Sequence, residues 1–448
     1  MLDDLTFFII YSTFMKWTKY NYLFKSDKFG YLLYNSLSNS FAELDEDCYN
    51  LLNKFGIGED VVIEDKELYN YLIDMKVLVE NDKDEFYNIK YQTHFNRFND
   101  KHLGLTINPT LHCNFACAYC FETSKPAIYM TDEVENAIIE FIKKAKRIET
   151  IHITWFGGEP LMAYDRIVSI TNKIKKLKVK YNADIITNGY LLNEKIINNL
   201  DKLNIKRIQI TIDGLKEDHD KTRPLLSGKG TFDRIYKNIQ LLKTLKPDFP
   251  TIVRVNIDVH NAQNFIKTYA FFYQQYKDKV FVVPGFIQST GGCVASDCVF
   301  DKEKMAKFLL TLFKQYGVNA MGLFPDNYRY ECPIRNPFNL VIGPESELYK
   351  CWNDIGNREQ VVGYLNNQEN INNKLLTRYY VAGDPFDDAE CQECFHLPTC
   401  GGGCPYARIE REYNKFDENI CDYRKGHLKE FLELHYDYIQ QINKQNNT

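Results

Sequence analysis

Leu103-Gly-Leu-Thr-Ile-Asn-Pro-Thr-Leu-His-Cys113-Asn-Phe-Ala-Cys117-Ala-Tyr-Cys120 is the stretch on which the fold turns. Its first part, Gly104–Asn108, reads as a buried strand. Its second part is C-x3-C-x2-C, three thiols within eight residues on the loop that follows. Downstream, the same rhythm repeats. Candidate strands fall at Ile151–Phe156, Ala183–Thr187, Arg207–Ile212, Thr251–Val259 and Val280–Phe286. Helical patterns lie between them at Asp132–Lys146, Tyr164–Lys178, Asn193–Leu200, Thr231–Leu245 and Asn264–Tyr276. Strands alternating with helices imply a parallel sheet with right-handed crossovers. Six such units fall short of the eight of a closed barrel, so the fold class expected is α/β, a partial (β/α)6 TIM-like barrel.

On the N-terminal side, residues 16–100 read as a small unit. Tyr20–Phe24 and Tyr31–Leu37 flank Ser26-Asp27-Lys28-Phe29-Gly30, a hairpin signal. Helical patterns around Asp45–Phe55 and Asp65–Met75 and a short strand at Val77–Val79 complete a winged-helix-like module. The alternative is an N-terminal cover for the next domain. On the C-terminal side the rhythm stops after Gly291. Residues 325–425 are rich in Cys, Gly, Pro, Asn and Asp and need staples to fold, here metal. Tyr423 to about Gln441 reads as a closing helix. The expected domains are 16–100, 101–290 and 291–448.

The chain has 448 residues, 44% of them apolar and 26% charged, a globular composition. With 55 basic and 60 acidic side chains the net charge is −5, which gives no footprint for nucleic acid. No stretch approaches the roughly 20 apolar residues of a membrane span. The apolar run Phe7–Tyr11 follows Asp3 and Asp4, where a signal peptide would be positive. A cytoplasmic protein without a membrane partner is expected. Met15-Lys16 reads as the true start, with residues 1–14 an over-extended reading frame; a native N-terminus containing them would overturn this.

Thirteen cysteines are the unusual feature. Cys113, Cys117 and Cys120 form one group, and Cys332, Cys351, Cys391, Cys394, Cys400, Cys404 and Cys421 another. Cys48, Cys293 and Cys298 stand apart; Cys48 reads as a core residue of the N-terminal unit. An odd count at these spacings fits disulfides poorly and metal better. Cysteine is the expected ligand of iron–sulfur clusters. Three thiolates on a four-iron cube leave one iron open, which marks a reactive site. A structural zinc with His112 as its fourth ligand is the alternative.

C-x3-C-x2-C, with Tyr119 before its last cysteine, resembles the signature of radical S-adenosylmethionine (radical SAM) enzymes. The resemblance implies that SAM chelates the open iron, and that one electron cleaves it to methionine and a 5′-deoxyadenosyl radical that takes a hydrogen from the substrate. Gly157-Gly158-Glu159-Pro160, after the second strand, looks like the family segment that receives the SAM amino group. Thr187-Asn188-Gly189 resembles its polar turn beside SAM. Asp213-Gly214 ends the fourth strand, and Arg223 resembles the arginine that can meet the SAM carboxylate, a role suited to a bidentate fork. Each short motif is weak alone; their order behind the cysteines is what makes the signal.

The second cysteine group closely matches the seven-cysteine SPASM extension of such enzymes, which holds two auxiliary clusters; a zinc-ribbon-like element is the alternative. By that pattern Cys391, Cys394, Cys400 and Cys421 hold the outer cluster. Cys332, Cys351 and Cys404 hold the inner one, leaving it a ligand short: an open iron, Asp326, or a loop thiolate such as Cys293 or Cys298. The plainer reading of Cys293 and Cys298 is buried or loop cysteine. The family's usual glycine five residues before the second cysteine is Ser346 here.

SPASM enzymes mostly modify peptides or proteins. Residues 16–100 look like the module that recognises leader peptides in maturases of ribosomally made peptides, gripping the leader as an added strand. The reading is a maturase that forms a thioether or carbon–carbon crosslink in a precursor peptide, with an external flavodoxin- or ferredoxin-like electron donor. The alternative is an anaerobic sulfatase-maturating enzyme. Those lack such an extension and carry a basic Asp directly after the second SPASM cysteine, where this chain has Trp352, with Asp354 two residues on. A non-enzymatic iron–sulfur or zinc scaffold is the third possibility.

Overall fold

Isoleucine and valine set the architecture. The structure, a computed structural model, describes residues 15–59, 61–81, 84–120, 126–287, 299–320, 323–326, 332–367, 369–414 and 419–446. Residues 1–14, Cys293 and Cys298 lie outside these. Contacts group the chain into two units: residues 1–96, 302–331 and 383–448, and residues 97–301 with 332–382.

The first unit begins with β1 (Met15–Trp17), β2 (Asn21–Ser26), β3 (Gly30–Asn35), β4 (Ser40–Leu44) and β5 (Leu78–Glu80). β2, β3 and β4 form an antiparallel sheet in that order, and β1 pairs antiparallel with β5. The expected hairpin is present; β4 extends it by a strand that the sequence reading missed. Helices Glu46–Gly56 and Lys66–Asp74 are capped by Asp45 and Asp65, whose carboxylates accept from the first-turn N–H groups. Leu33, Leu52, Leu72 and Val77 make their shared core, and half-buried Cys48 packs against it. Burial pushes the Cys48 thiol up.

The same unit contains helices Lys302–Tyr316, Pro405–Asn414 and Leu428–Asn446. The last begins five residues later than the sequence suggested. Asp422 and Arg424 form a buried pair just before it, and the chain turns from there to His427. Leu432 and Tyr436 of that helix pack on Phe24, Leu32 and Tyr34 of β2 and β3.

The second unit is built on nine strands: β6 (His102–Ile107), β7 (Thr150–Trp155), β8 (Lys180–Thr187), β9 (Ile205–Thr211), β10 (Thr251–Ile257), β11 (Phe281–Phe286), β12 (Asn339–Ile342), β13 (Glu347–Tyr349) and β14 (Gly363–Tyr364). Their order is β11-β10-β9-β8-β7-β6-β12-β13-β14. β6 to β11 run parallel, as expected of βαβ units. β12 adds in parallel to the far side of β6, and β13 and β14 follow antiparallel. The fold is thus a mixed α/β partial barrel whose sheet runs on into the cysteine-rich region. Ile151, Ile153, Ile208, Ile210, Val253 and Val255 are fully buried, each worth roughly 1.5–3 kcal/mol in transfer terms. No helix among the described residues is long and apolar enough to cross a membrane.

Candidate functional site

The C-terminal ends of β6 to β10 open into one cavity of about 460 Å3. That size suits a small-molecule ligand, and strand C-termini are where barrel enzymes keep their sites. Cys113, Cys117 and Cys120 all line it, together with Gly157, Gly158, Glu159, Thr187, Asn188 and Arg223. Pro160 and Asp213 are buried beside it without lining it.

The loop after β6 carries the cysteines. It is held on one side by the segment after β9: Ala116 N donates to Pro224 O, and Ala118 N to Thr222 O. The loop after β7 presses on it from another. Gly158 N donates to Thr110 O and Glu159 N to His112 O. A Cβ on Gly158 would sit 2.4 Å from both the Leu111 and His112 carbonyl oxygens, and one on Gly157 would sit 2.6 Å from Thr110 O. Gly157 also has φ +116°. The paired glycines therefore let two backbones meet, beyond any approach to a ligand. His112 Nδ1 lies 2.8 Å from the Tyr129 hydroxyl.

Glu159 joins the third loop to the second. Its carboxylate accepts from Thr187 Oγ1 at 2.6 Å, Asn188 N at 2.7 Å and Leu161 N at 3.0 Å. Burial pushes its carboxyl up, and those hydrogen bonds pull the other way. Asn188 Nδ2 in turn donates to Asn114 Oδ1 within the cysteine loop.

A polar wall faces these loops. The Tyr119 hydroxyl donates to Asp213 and accepts from Arg223 Nη1 at 2.6 Å and Asn256 Nδ2 at 3.1 Å. Burial pushes the Asp213 carboxyl up against the opposing field of Arg223. It pushes the Tyr119 hydroxyl well up too. Burial alone would lower Arg223; Tyr119, Cys117 and Asp213 hold it above its usual range. His219 is buried behind the wall, accepting from Asp213 N at Nδ1 and facing Thr231 Oγ1 at Nε2. Its pKa falls to about 3 through burial and the Arg223 charge.

Sequence reasoning missed part of this wall. Gln209 and Thr211 of β9, Arg254 and Asn256 of β10, and Trp352 and Asn353 also line the cavity. A signal was present: Arg254 and Asn256 alternate with buried Val253, Val255 and Ile257. Parallel strands covered on both faces are normally apolar throughout, so polar alternation marks a strand facing a cavity.

In the other unit Cys391, Cys394, Cys400 and Cys421 line a second, small cavity, whereas Cys404 is exposed and does not. Arg408 Nη2 donates to Cys391 Sγ at 2.8 Å while its Nη1 meets Asp388 at 3.0 Å. Burial pushes the Cys391 thiol up to about 11 despite this partner. Asp326 is exposed in that unit, and Cys332 and Cys351 belong to the barrel unit. Among the described residues no three His, Cys, Asp or Glu groups converge on a position for one metal ion. A cube asks for something else, one thiolate for each of several irons. Three thiols at the mouth of one cavity, and four around another, are donor sets of that kind.

The family model described as "Radical SAM superfamily" matches residues 107–272, the stretch from the end of β6 through most of the helix after β10. The chain carries a radical SAM domain. Among its relatives is the cysteine-type anaerobic sulfatase-maturating enzyme of Clostridium novyi (strain NT), 22% identical over 377 residues, which cover 77% of this chain and 98% of that protein. The structure of anSMEcpe with bound AdoMet and Cp18Cys peptide superposes with a TM-score of 0.55 at 20% identity, over 77% of this chain and 99% of that one. Streptococcus suis SuiB superposes at 0.51 and 16% identity, over 91% of this chain and 100% of that one. The protein is therefore a radical SAM enzyme, and its family implies one [4Fe–4S] cluster and SAM.

Proposed function

We propose that this radical SAM enzyme modifies a ribosomally made precursor peptide, forming a thioether or a carbon–carbon crosslink. The observation that carries the reading is that Cys113, Cys117, Cys120, Gly157, Gly158, Glu159, Thr187, Asn188 and Arg223 all line one cavity. When bound, the cluster and SAM supply one-electron cleavage of SAM and a radical able to take a substrate hydrogen. The protein's part is to bind and to exclude water. The three cysteines would hold the iron–sulfur cluster. Gly157–Glu159 with Thr187-Asn188 would hold the methionine end of SAM, and Arg223, fixed by Tyr119, would meet its carboxylate. Phe156, Phe286 and Trp352 add aromatic surface to the cavity lining.

Cys391, Cys394, Cys400 and Cys421 are proposed to hold an outer auxiliary cluster. Cys332, Cys351 and Cys404 would hold an inner one, completed by Asp326, by Cys293 or Cys298, or left with an open iron for a peptide thiolate. Residues 16–100 would grip the leader as an added strand along the β2-β3-β4 sheet. An external flavodoxin- or ferredoxin-like protein would deliver the electron, in the cytoplasm. The peptide bound in the anSMEcpe structure supports a peptide substrate.

Sulfatase maturation is the second reading, favoured by the Clostridium novyi relative. Against it, Trp352 occupies the position after Cys351, and Asp354 is buried with the Tyr379 hydroxyl donating to it at 2.7 Å. Anaerobic reconstitution with a reductant and SAM tests the proposal. It should load roughly twelve irons. It should also release 5′-deoxyadenosine and change the mass of a short precursor encoded beside the gene. No SAM cleavage with iron loaded would overturn the proposal; formylglycine from a Cys-type sulfatase peptide would replace it by the second reading.

A further inference from the structure

Arg254 is a cation in the cavity wall with no ion pair among the described residues, although burial, which opposes its charge, is partly offset by the field of Asp213. Its Nε donates to Asn256 Oδ1 at 2.8 Å, and among the described residues this is the one hydrogen bond of its side chain. The guanidinium is nevertheless built into place. Gly285, on the neighbouring β11, leaves the slot it fills: a Cβ there would sit 2.4 Å from Nε and 2.6 Å from both Cζ and Nη2. Asn256 fixes the other side and is itself tied to the Tyr119 hydroxyl. The head group is thus positioned by β10 and β11 with its outer nitrogens free to face the cavity.

The nearby acids are taken. Asp213 faces Tyr119, Thr222 and the Asn256 amide. Glu159 is occupied by Thr187, Asn188 and Leu161. Arg223 already stands ready for one carboxylate, that of SAM. A second guanidinium in a partly desolvated cavity is costly unless an anion arrives with a ligand. Its planar fork suits a carboxylate or a phosphate, and of these a peptide carries the carboxylate.

We propose that Arg254 is the substrate-specificity residue of this site and that it receives a carboxylate carried by the peptide, an acidic side chain at or beside the modified residue or the C-terminal carboxylate. The inference rests on the peptide-maturase reading and narrows it to substrates anionic near the reaction centre. Truncating one partner of such a pair weakens binding by roughly 30-fold or more.

The test uses the full chain with iron loaded anaerobically and SAM present, and a random ten-residue peptide library with free or amidated C-termini. The wild type should enrich Asp and Glu, or, if the partner is the C-terminal carboxylate, free over amidated ends. Arg254→Lys should keep that preference, Arg254→Gln should lose it, and Arg254→Glu should turn it toward Lys and Arg. Gly285→Ala, which displaces the guanidinium without removing it, should lose it too and guards against a misfolded Arg254→Gln. SAM binding by equilibrium dialysis separates the other source of carboxylate. Arg254→Gln should bind SAM as the wild type does, whereas Arg223→Gln should not. A wild-type pool without anionic preference, a preference that survives both Arg254→Gln and Gly285→Ala, or loss of SAM affinity in Arg254→Gln would each overturn the proposal. Iron-loaded wild type that fails to bind SAM would instead refute the underlying reading.

Discussion

Glu159 has both carboxylate oxygens occupied by the protein's own donors before any ligand is present. In Glu159→Gln the new amide must place an N–H group against a donor. If it turns toward Asn188 N, the loss of an accepted hydrogen bond between buried groups costs about 1–3 kcal/mol. The expected outcome is a lower midpoint in chemical denaturation together with weaker SAM binding, because the β7 and β8 loops separate. His219 gives the pH-dependent counterpart. Its folded pKa is about 3, depressed below the usual 6.5 by burial and by Arg223. A depressed histidine contributes stability that is present above the unfolded value and lost as pH falls through it. Wild type should therefore lose about 1.4 kcal/mol per pH unit between roughly 6.5 and 3 relative to His219→Asn, which has no ring to charge. Denaturation at pH 7.5 and 5.5 checks this; equal slopes for the two proteins would contradict it. At this scale the sequence showed which residues mattered where the chemistry is carried by a run, as at Cys113–Cys120 or Gly157–Glu159. It marked Arg254 and Asn256 only by their alternation with apolar neighbours, which a strand with one face in solvent shows equally until a cavity is known to lie there.

Elements were legible in proportion to their burial. The six parallel strands and their long helices match the expected segments within a few residues, because each is an apolar run bounded by turn residues. β12, only Asn339–Ile342, was not, as four residues are too few to show a period and its pairing with β6 is fixed by a partner more than 200 positions away. In sequence the turn between β7 and the helix at Tyr164 reads as a ligand-binding motif; the structure adds that it braces the cysteine loop. Gly158→Ala tests that added role. Its Cβ would meet two backbone carbonyls at 2.4 Å, neither able to swing away like a side chain. The cysteine loop must shift, so iron bound at the first site should fall severalfold after reconstitution while iron at the remaining sites stays. Site-selective loss is read by comparing iron content with that of Cys113→Ala. An iron content equal to wild type would show that the loop has slack.

At the scale of the whole chain, residues 16–100 look separable in sequence, and removing them is the natural test of leader binding. The contacts argue otherwise. Leu432 and Tyr436 of the last helix are buried on β2 and β3. Tyr436 donates to Glu43 at 2.7 Å, and Lys28 pairs with Asp437 at 2.7 Å. Ser36 Oγ donates to Phe395 O at 2.7 Å and Lys19 Nζ to Gln392 O at 2.5 Å, in the segment that carries Cys391, Cys394 and Cys400. The sequence could not show this, because hairpin and helix are nearly 400 positions apart and each is complete as a local pattern. Deleting 16–100 would leave the face of the last helix bare and unpin the four-cysteine segment. The truncated chain should load about four irons fewer than the full one, the content of one cube. Leu432→Ala should reproduce part of the effect, lowering stability by about 2–5 kcal/mol with the N-terminal strands still present. Truncation that lost leader binding but kept full iron would show that the strands serve recognition alone. Loss of iron in both variants would mean that recognition must be probed by single substitutions along the β2-β3-β4 sheet, where binding can fail while the four cysteines stay in place.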